Sequence, residues 1–85
     1  MSYIGYEFGR AAVVTPSNTA DIPSISGGTN QYCSIYIGVT GDVTVRTEGG
    51  DDVLFKNAQA GSVLPIKVIR VFAAGTSATN IVALW

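Results

Sequence analysis

The chain has 85 residues and a net charge of −1, with 47% hydrophobic and only 13% charged residues. It has no histidine, which excludes a Ser-His-Asp triad and histidine-ligated metal sites, and its single cysteine, Cys33, excludes an internal disulfide. The basic residues are scattered, and no apolar run approaches the ~18 residues of a membrane span, so we expect neither a nucleic-acid nor a membrane partner. Since about 25% charged residues is ordinary for a soluble domain, we expect apolar surface that other subunits cover.

The first ten residues are aromatic and nearly uncharged, with Tyr3, Tyr6 and Phe8. Their spacing is neither alternating nor helical, because two glycines interrupt it. Two interpretations stay open: a short edge strand or tail, and an arm that docks its aromatic side chains on a neighbouring subunit. Aromatic termini with little charge are rarely left in water, so the sequence favours an arm, residues 1–10, followed by a single β domain, residues 11–85.

Residues 11–15 form a short β-prone run that Pro16 ends, because proline lacks an N–H for the sheet. Three longer β-prone runs between residues 32 and 56 are separated by turn signals at 40–42 and 49–51, which predicts a β-meander. In the first turn we expect Gly41 to take a positive φ. Alternation along the three runs predicts one shared buried face. Its members are Cys33, Ile35, Ile37, Val43, Val45, Val53 and Phe55.

The last third of the chain contains two apolar runs without clean alternation. Residues 66–72 carry apolar side chains in both phases, so either the strand bulges near Val68 or both of its faces are buried. Residues 81–85 contain no polar side chain, and an apolar strand of this kind must be covered. No helical stripe is present. The sequence therefore predicts an all-β fold, a small antiparallel β-sandwich or barrel of about six to seven strands.

The acidic residues offer little catalytic or metal chemistry. Glu48, Asp51 and Asp52 crowd one turn, where a calcium site is conceivable, but their spacing fits no known calcium loop. We therefore interpret them as an ordinary hairpin turn and expect no metal and no cofactor. A glycosidase would need two carboxylates facing each other across a cleft, for which this chain has little room. We expect no enzymatic activity.

Assembly of several copies is the strongest functional indication from the residues alone. A single core covers only one face of residues 66–72 and 81–85, and covering the other face needs a second subunit. We expect Trp85 to anchor that contact, because tryptophan is enriched among interface hot spots. The predicted subunit interface comprises Tyr3, Tyr6, Phe8, Tyr36, Ile69, Val71, Val82, Leu84 and Trp85.

A series of short motifs follows in a characteristic order from residue 39 onward. They read Gly-Asp-Val-Thr-Val (41–45), Gly-Gly-Asp (49–51), Phe-Lys-Asn (55–57), Ala-Gly (60–61), Leu-Pro-Ile-Lys-Val (64–68), Arg-Val (70–71) and Ala-Thr-Asn-Ile-Val-Ala-Leu-Trp (78–85). This order resembles the small head spike base proteins of tailed phages and of the phage-like gene transfer agents. The resemblance covers residues 11–85 loosely and 39–85 well.

The resemblance implies a non-enzymatic virion structural protein, a homo-oligomer that sits at the head vertices and carries a spike or fibre protein. It implies a pentamer, with the major capsid protein as a further partner, on the capsid surface of a virion assembled in the host cytoplasm. One alternative is a capsid cement or decoration protein, which would be trimeric, or a tail component. A remoter alternative is a small carbohydrate-binding β-module that uses exposed aromatic residues, for which Tyr32 and Tyr36 are the candidates.

Overall fold

The computed structural model describes residues 8–22 and 32–85. Within them lie six strands and no helix: β1 (Ala11–Val13), β2 (Cys33–Tyr36), β3 (Gly41–Thr47), β4 (Asp52–Ala58), β5 (Val63–Val71) and β6 (Val82–Leu84). Every strand pair is antiparallel, which confirms the predicted all-β, antiparallel fold. The described residues contain no helix long and apolar enough to cross a membrane. Most of the predicted arm, residues 1–7, lies outside the described residues.

The six described strands form one sheet in the order β1-β6-β2-β5-β3-β4. Ile35 of β2 and Val43 and Val45 of β3 have 0% exposure, although these two strands are not neighbours in the sheet, and Ile37, just after β2, is buried equally. A flat single layer would leave both of its faces in water. The core also includes residues from outside the strands, which pack on one face of the sheet, here called the inner face; these are Val14, Ile22, Ala78 and Ile81.

The first half of the predicted meander is wrong, whereas the second is confirmed. β3 and β4 form the expected hairpin, in which the amide of Thr47 donates to the carbonyl of Asp51 over 2.8 Å. In contrast, β5 lies between β2 and β3 in the sheet. Gly41 belongs to β3 and does not have the predicted positive φ. The position has no space for a larger residue, because a Cβ there would lie 2.5 Å from the backbone nitrogen of Ala78.

The mixed apolar phase of residues 66–72 comes from a bulge, one of the two predicted explanations. Arg46 pairs with Arg70 and Thr47 with Val68, so Ile69 is an extra residue on β5. The bulge allows Val68 and Val71 both to enter the core. The amide of Ile22 donates to the carbonyl of Ile69 over 2.8 Å, so this chain's own residues cover that part of β5.

The predicted buried face is correct on β2 and β3 and incorrect on β4. Val45 is fully buried, but Val53, its direct partner on β4, is 38% exposed, and Phe55 is only partly buried. The difference arises because β4 is an edge strand among the described strands. Its inward side chains have a neighbouring strand on one side only.

Candidate interaction surface

The strand register places a row of apolar side chains across the outside of four strands. Val82 of β6 pairs with Val13 on one side and with Tyr36 on the other, and Tyr36 pairs with Val63 of β5. Directly paired residues of an antiparallel sheet project from the same face. Their sequence neighbour Ile35 is fully buried, so the row lies on the face that points away from the core.

A second row lies beside the first, two residues further along each strand. Leu84 pairs with Ala11 on β1 and with Ser34 on β2. We call the two rows the outer apolar face. Its residues are Ala11, Val13, Ser34, Tyr36, Val63, Val82 and Leu84. None of these seven is charged, and Val13 at its edge is 80% exposed, which is an unfavourable position for valine in an isolated chain.

The outside of β3, β4 and the end of β5 has the opposite character. Arg46 pairs with Arg70 on one side and Asp52 on the other, so the three project from one face. Thr44 and Leu54 form the next pair on that face. We call these residues, together with Phe72, the outer charged face.

The charges on the outer charged face are neutralised within the chain. Arg46 makes a two-point contact with Asp52, of 2.8 Å through Nε and 3.1 Å through one Nη. The hydrogen bond from Arg46 lowers the pKa of the Asp52 carboxyl. Arg70 lies 2.8 Å from the carboxylate of Asp21. Both guanidinium groups approach the Phe72 ring, with Cζ 5.4 and 5.5 Å from its centroid, which is cation–π distance.

Three of the nine predicted interface residues lie on the outer apolar face: Tyr36, Val82 and Leu84. Ile69 and Val71 are buried inside the chain. Trp85 packs against this chain's own core and is partly exposed, and Phe8 is exposed. Tyr3 and Tyr6 lie outside the described residues. The structure therefore brings together the predicted interface residues of β2 and β6 on one outer face, whereas the two from β5 are buried in the chain.

Sequence reasoning missed Val13 and Val63, which complete the first row. Val13 belongs to the β-prone run 11–15, but the row exists only because β6 inserts between β1 and β2. Alternation within a strand shows which residues share a side of that strand, but does not show which strands are neighbours. No local signal in the sequence indicates this insertion.

Other groups of the described residues offer little reactive chemistry. Cys33 is 1% exposed, and burial raises the pKa of its thiol to about 11, so the reactive thiolate is scarce at neutral pH. In residues 8–22 and 32–85 no group of three or more acidic or cysteine side chains could hold a metal ion. Tyr32 and Tyr36 are both exposed, but the outer apolar face offers only Ser34 as a further polar side chain, which does not favour a sugar site.

No protein-family model matches this chain, and no curated protein sequence matches it. Among solved structures, the chain is similar to one described as the capsid of a native gene transfer agent (GTA) particle computed with C5 symmetry. The match has a TM-score of 0.75 and 26% sequence identity, and it covers 100% of this chain and 92% of the other. It supports the part of the resemblance that points to gene transfer agent particles. The narrower match to head spike base proteins stays a prediction.

Proposed function

We propose that this chain is a virion structural protein of a phage-like particle, and that several copies form a spike base at the head vertices. The observation that carries the proposal is the full-length similarity to a chain of a gene transfer agent capsid, with a TM-score of 0.75. The proposed role is non-enzymatic. The partners would be the major capsid protein below and a spike or fibre protein above.

The two outer faces support an assembled state. A surface without charge loses little solvation when another subunit covers it, and the cores of interfaces are depleted of charged residues for this reason. The outer apolar face fits such a contact between copies. The outer charged face is solvated and internally paired, so it fits exposure to solvent or a peripheral contact.

The choice of a pentamer has two supports. The sequence resembles head spike base proteins, which implies five-fold vertices, and the similar capsid was computed with C5 symmetry. A ring of five identical chains would use two different patches on each subunit, since neighbours meet head to tail. The outer apolar face is one candidate patch.

The test is the position of the chain in an intact particle, seen by electron cryomicroscopy of particles purified with the chain present. Density for a ring confined to the five-fold vertices, beneath a spike, would support the proposal. Density repeated over the whole capsid lattice in groups of three would overturn the spike base and favour a cement protein. Density in the tail would overturn a head location.

A further inference from the structure

Residues 17–22 lie along the end of β5 without forming a strand, and we call them the strap. β2 begins at Cys33, which is the pairing partner of Val68 on β5. Residues 69–71 of β5 lie beyond this pair, with β3 on one side. The strap lies on their other side and takes the position that β2 would have if it were longer.

The backbone of the strap is held to the sheet by few contacts. Among the described residues, it makes two hydrogen bonds to β5. The amide of Ser17 donates to the carbonyl of Val71 over 2.9 Å. The amide of Ile22 donates to the carbonyl of Ile69 over 2.8 Å. Ile22 is the buried residue of the strap, at 6% exposure, and it belongs to the core. A segment with so few buried contacts opens at a lower free energy than the strands of the core.

The strap also has hydrogen bonds of its own. The hydroxyl oxygen of Ser17 accepts from the amides of Thr19 and Ala20, over 3.2 and 3.0 Å. Local turns of this kind form between neighbours along the chain and need no contact with the sheet. The strap therefore keeps part of its shape when it leaves β5, which favours opening as one unit.

Arg70 makes the strongest polar contact between the strap and the sheet. Its Nε and one Nη both lie 2.8 Å from the same carboxylate oxygen of Asp21. Charge-assisted hydrogen bonds are roughly twice as strong as neutral ones, and the two side chains are only 15% and 31% exposed, which limits screening by water. A neutral hydrogen bond adds to this contact, from the amide of Ala74 to the side-chain oxygen of Asn18 over 2.9 Å.

The strap meets Cys33 at adjacent residues of β5. The sulfur of Cys33 lies 3.7 Å from the carbonyl oxygen of Val68, and the strap is bonded to the carbonyl of the next residue, Ile69. Cys33 and Ile22 both belong to the core cluster, and Cys33 is 1% exposed. A strap that moves away from β5 takes Ile22 out of this cluster and opens space on that side of the thiol.

We propose that the strap opens and closes as one unit while the sheet stays folded, that the contact between Arg70 and Asp21 holds it closed, and that its opening exposes Cys33. The strap is then a lid over the end of β5. Because Arg70 also flanks the Phe72 ring, the lid is controlled from the outer charged face.

The rate at which the native thiol reacts tests the opening in the full-length wild type. Cys33 is labelled with an excess of an aromatic disulfide reagent at several urea concentrations below the unfolding midpoint. Opening of the strap exposes little surface, so we expect the rate to change little with urea. A rate that rises with the full slope of global unfolding would overturn the proposal, because Cys33 would then react only from the unfolded chain.

Substitutions test the contact that holds the strap closed. In Asp21→Asn and in Arg70→Gln we expect labelling without urea to be about ten-fold faster, the size expected for the loss of a charge-assisted hydrogen bond. The double variant should be no faster than Arg70→Gln alone, since both changes remove one contact. The matched control is Arg46→Gln, which removes the guanidinium bonded to Asp52 and should change the rate by less than about two-fold. An unchanged rate in Asp21→Asn, or an equal rise in Arg46→Gln, would overturn the role of Arg70.

Hydrogen exchange gives a second test that needs no substitution. The amide of Ile22 is bonded on the strap side of β5, whereas the amide of Phe72 donates to the carbonyl of Thr44 on the β3 side, over 2.9 Å. After correction for intrinsic rates, we expect the Ile22 amide to exchange at least about ten-fold faster than the Phe72 amide. Equal protection of the two amides would show that the strap opens only with the sheet and would overturn the proposal.

Discussion

The two outer faces of the sheet differ in whether their side chains are paired within the chain. On the outer charged face, Arg46 and Arg70 flank the ring of Phe72, and each guanidinium has a carboxylate within 2.8 Å. On the outer apolar face, Val13 is 80% exposed and no neighbouring side chain of the face is charged. The charged half is complete within one chain. The apolar half includes a valine that the chain itself leaves exposed.

The two edge strands of the described sheet, β4 and β1, differ as the two outer faces do, because β4 carries charged side chains and β1 does not. β4 carries Asp52 and Lys56 and is bent by a bulge at Asn57, which has a positive φ of 56° and donates its amide to Asp42 over 3.0 Å. Charges and bulges on an edge strand prevent unwanted strand pairing. β1 has three residues, Ala11–Val13, and neither device. β1 limits pairing in another way, because a strand of three residues offers few free backbone groups.

The largest expected effect comes from breaking the core that both faces share. Val45 has 0% exposure, and Val45→Asp would leave an unpaired charge there, at a cost of about 3–5 kcal/mol. A domain of this size has a total stability of roughly 4–13 kcal/mol, so we expect the variant to lose a large share of its stability and to melt far below the wild type by circular dichroism. The matched control is Val53→Asp, directly opposite on β4 and 38% exposed, which should stay folded. A Val45→Asp protein that melts no lower than Val53→Asp would contradict the assignment of the inner face.

A smaller effect should come from the joint between β3 and the loop that precedes β6. In Gly41→Ala the new methyl group would lie 2.5 Å from the backbone nitrogen of Ala78, which cannot move as a side chain can. Overpacking of this kind costs ~1–3 kcal/mol, measured by urea unfolding. Gly49→Ala is the control, because its nearest contact would be 3.5 Å. Equal midpoints for the two variants would show that the loop does not pack on β3 as described.

The smallest effect concerns the ion pair of the outer charged face. The pKa of Asp52 is lowered below its ordinary 3.8, chiefly by the hydrogen bond from Arg46. A lowered pKa stabilises the folded state above the ordinary value, and this stabilisation is lost as the pH falls through the folded value. Asp52→Asn should therefore melt slightly below the wild type at pH 7, and the difference should shrink below pH 3.8. Arg46→Gln is the control: combined with it, Asp52→Asn should cause no further loss. A difference that grows at low pH would contradict the pairing.

The sequence predicts the parts of this fold that depend on neighbours along the chain. Alternation identified the buried side of β2 and β3, and Gly49-Gly50-Asp51 identified the β3–β4 hairpin. The sequence did not predict that β5 lies between β2 and β3, because the packing of the whole sheet decides which distant strands pair. Val13 and Val63 were missed for the same reason. Val71 was placed in the predicted subunit interface because the mixed apolar phase of residues 66–72 fits a bulge and a strand with two buried faces equally well.

The claim that the outer apolar face joins the copies is tested most directly by the solution mass of two matched variants. Val13 and Leu54 are both exposed aliphatic residues, at 80% and 45%, and lie on opposite edge strands. Light scattering at micromolar concentration should show an oligomer for the wild type and for Leu54→Asp. Val13→Asp should be a folded monomer, because it introduces an unpaired charge into the contact. A Val13→Asp protein that keeps the wild-type oligomeric mass would contradict the account.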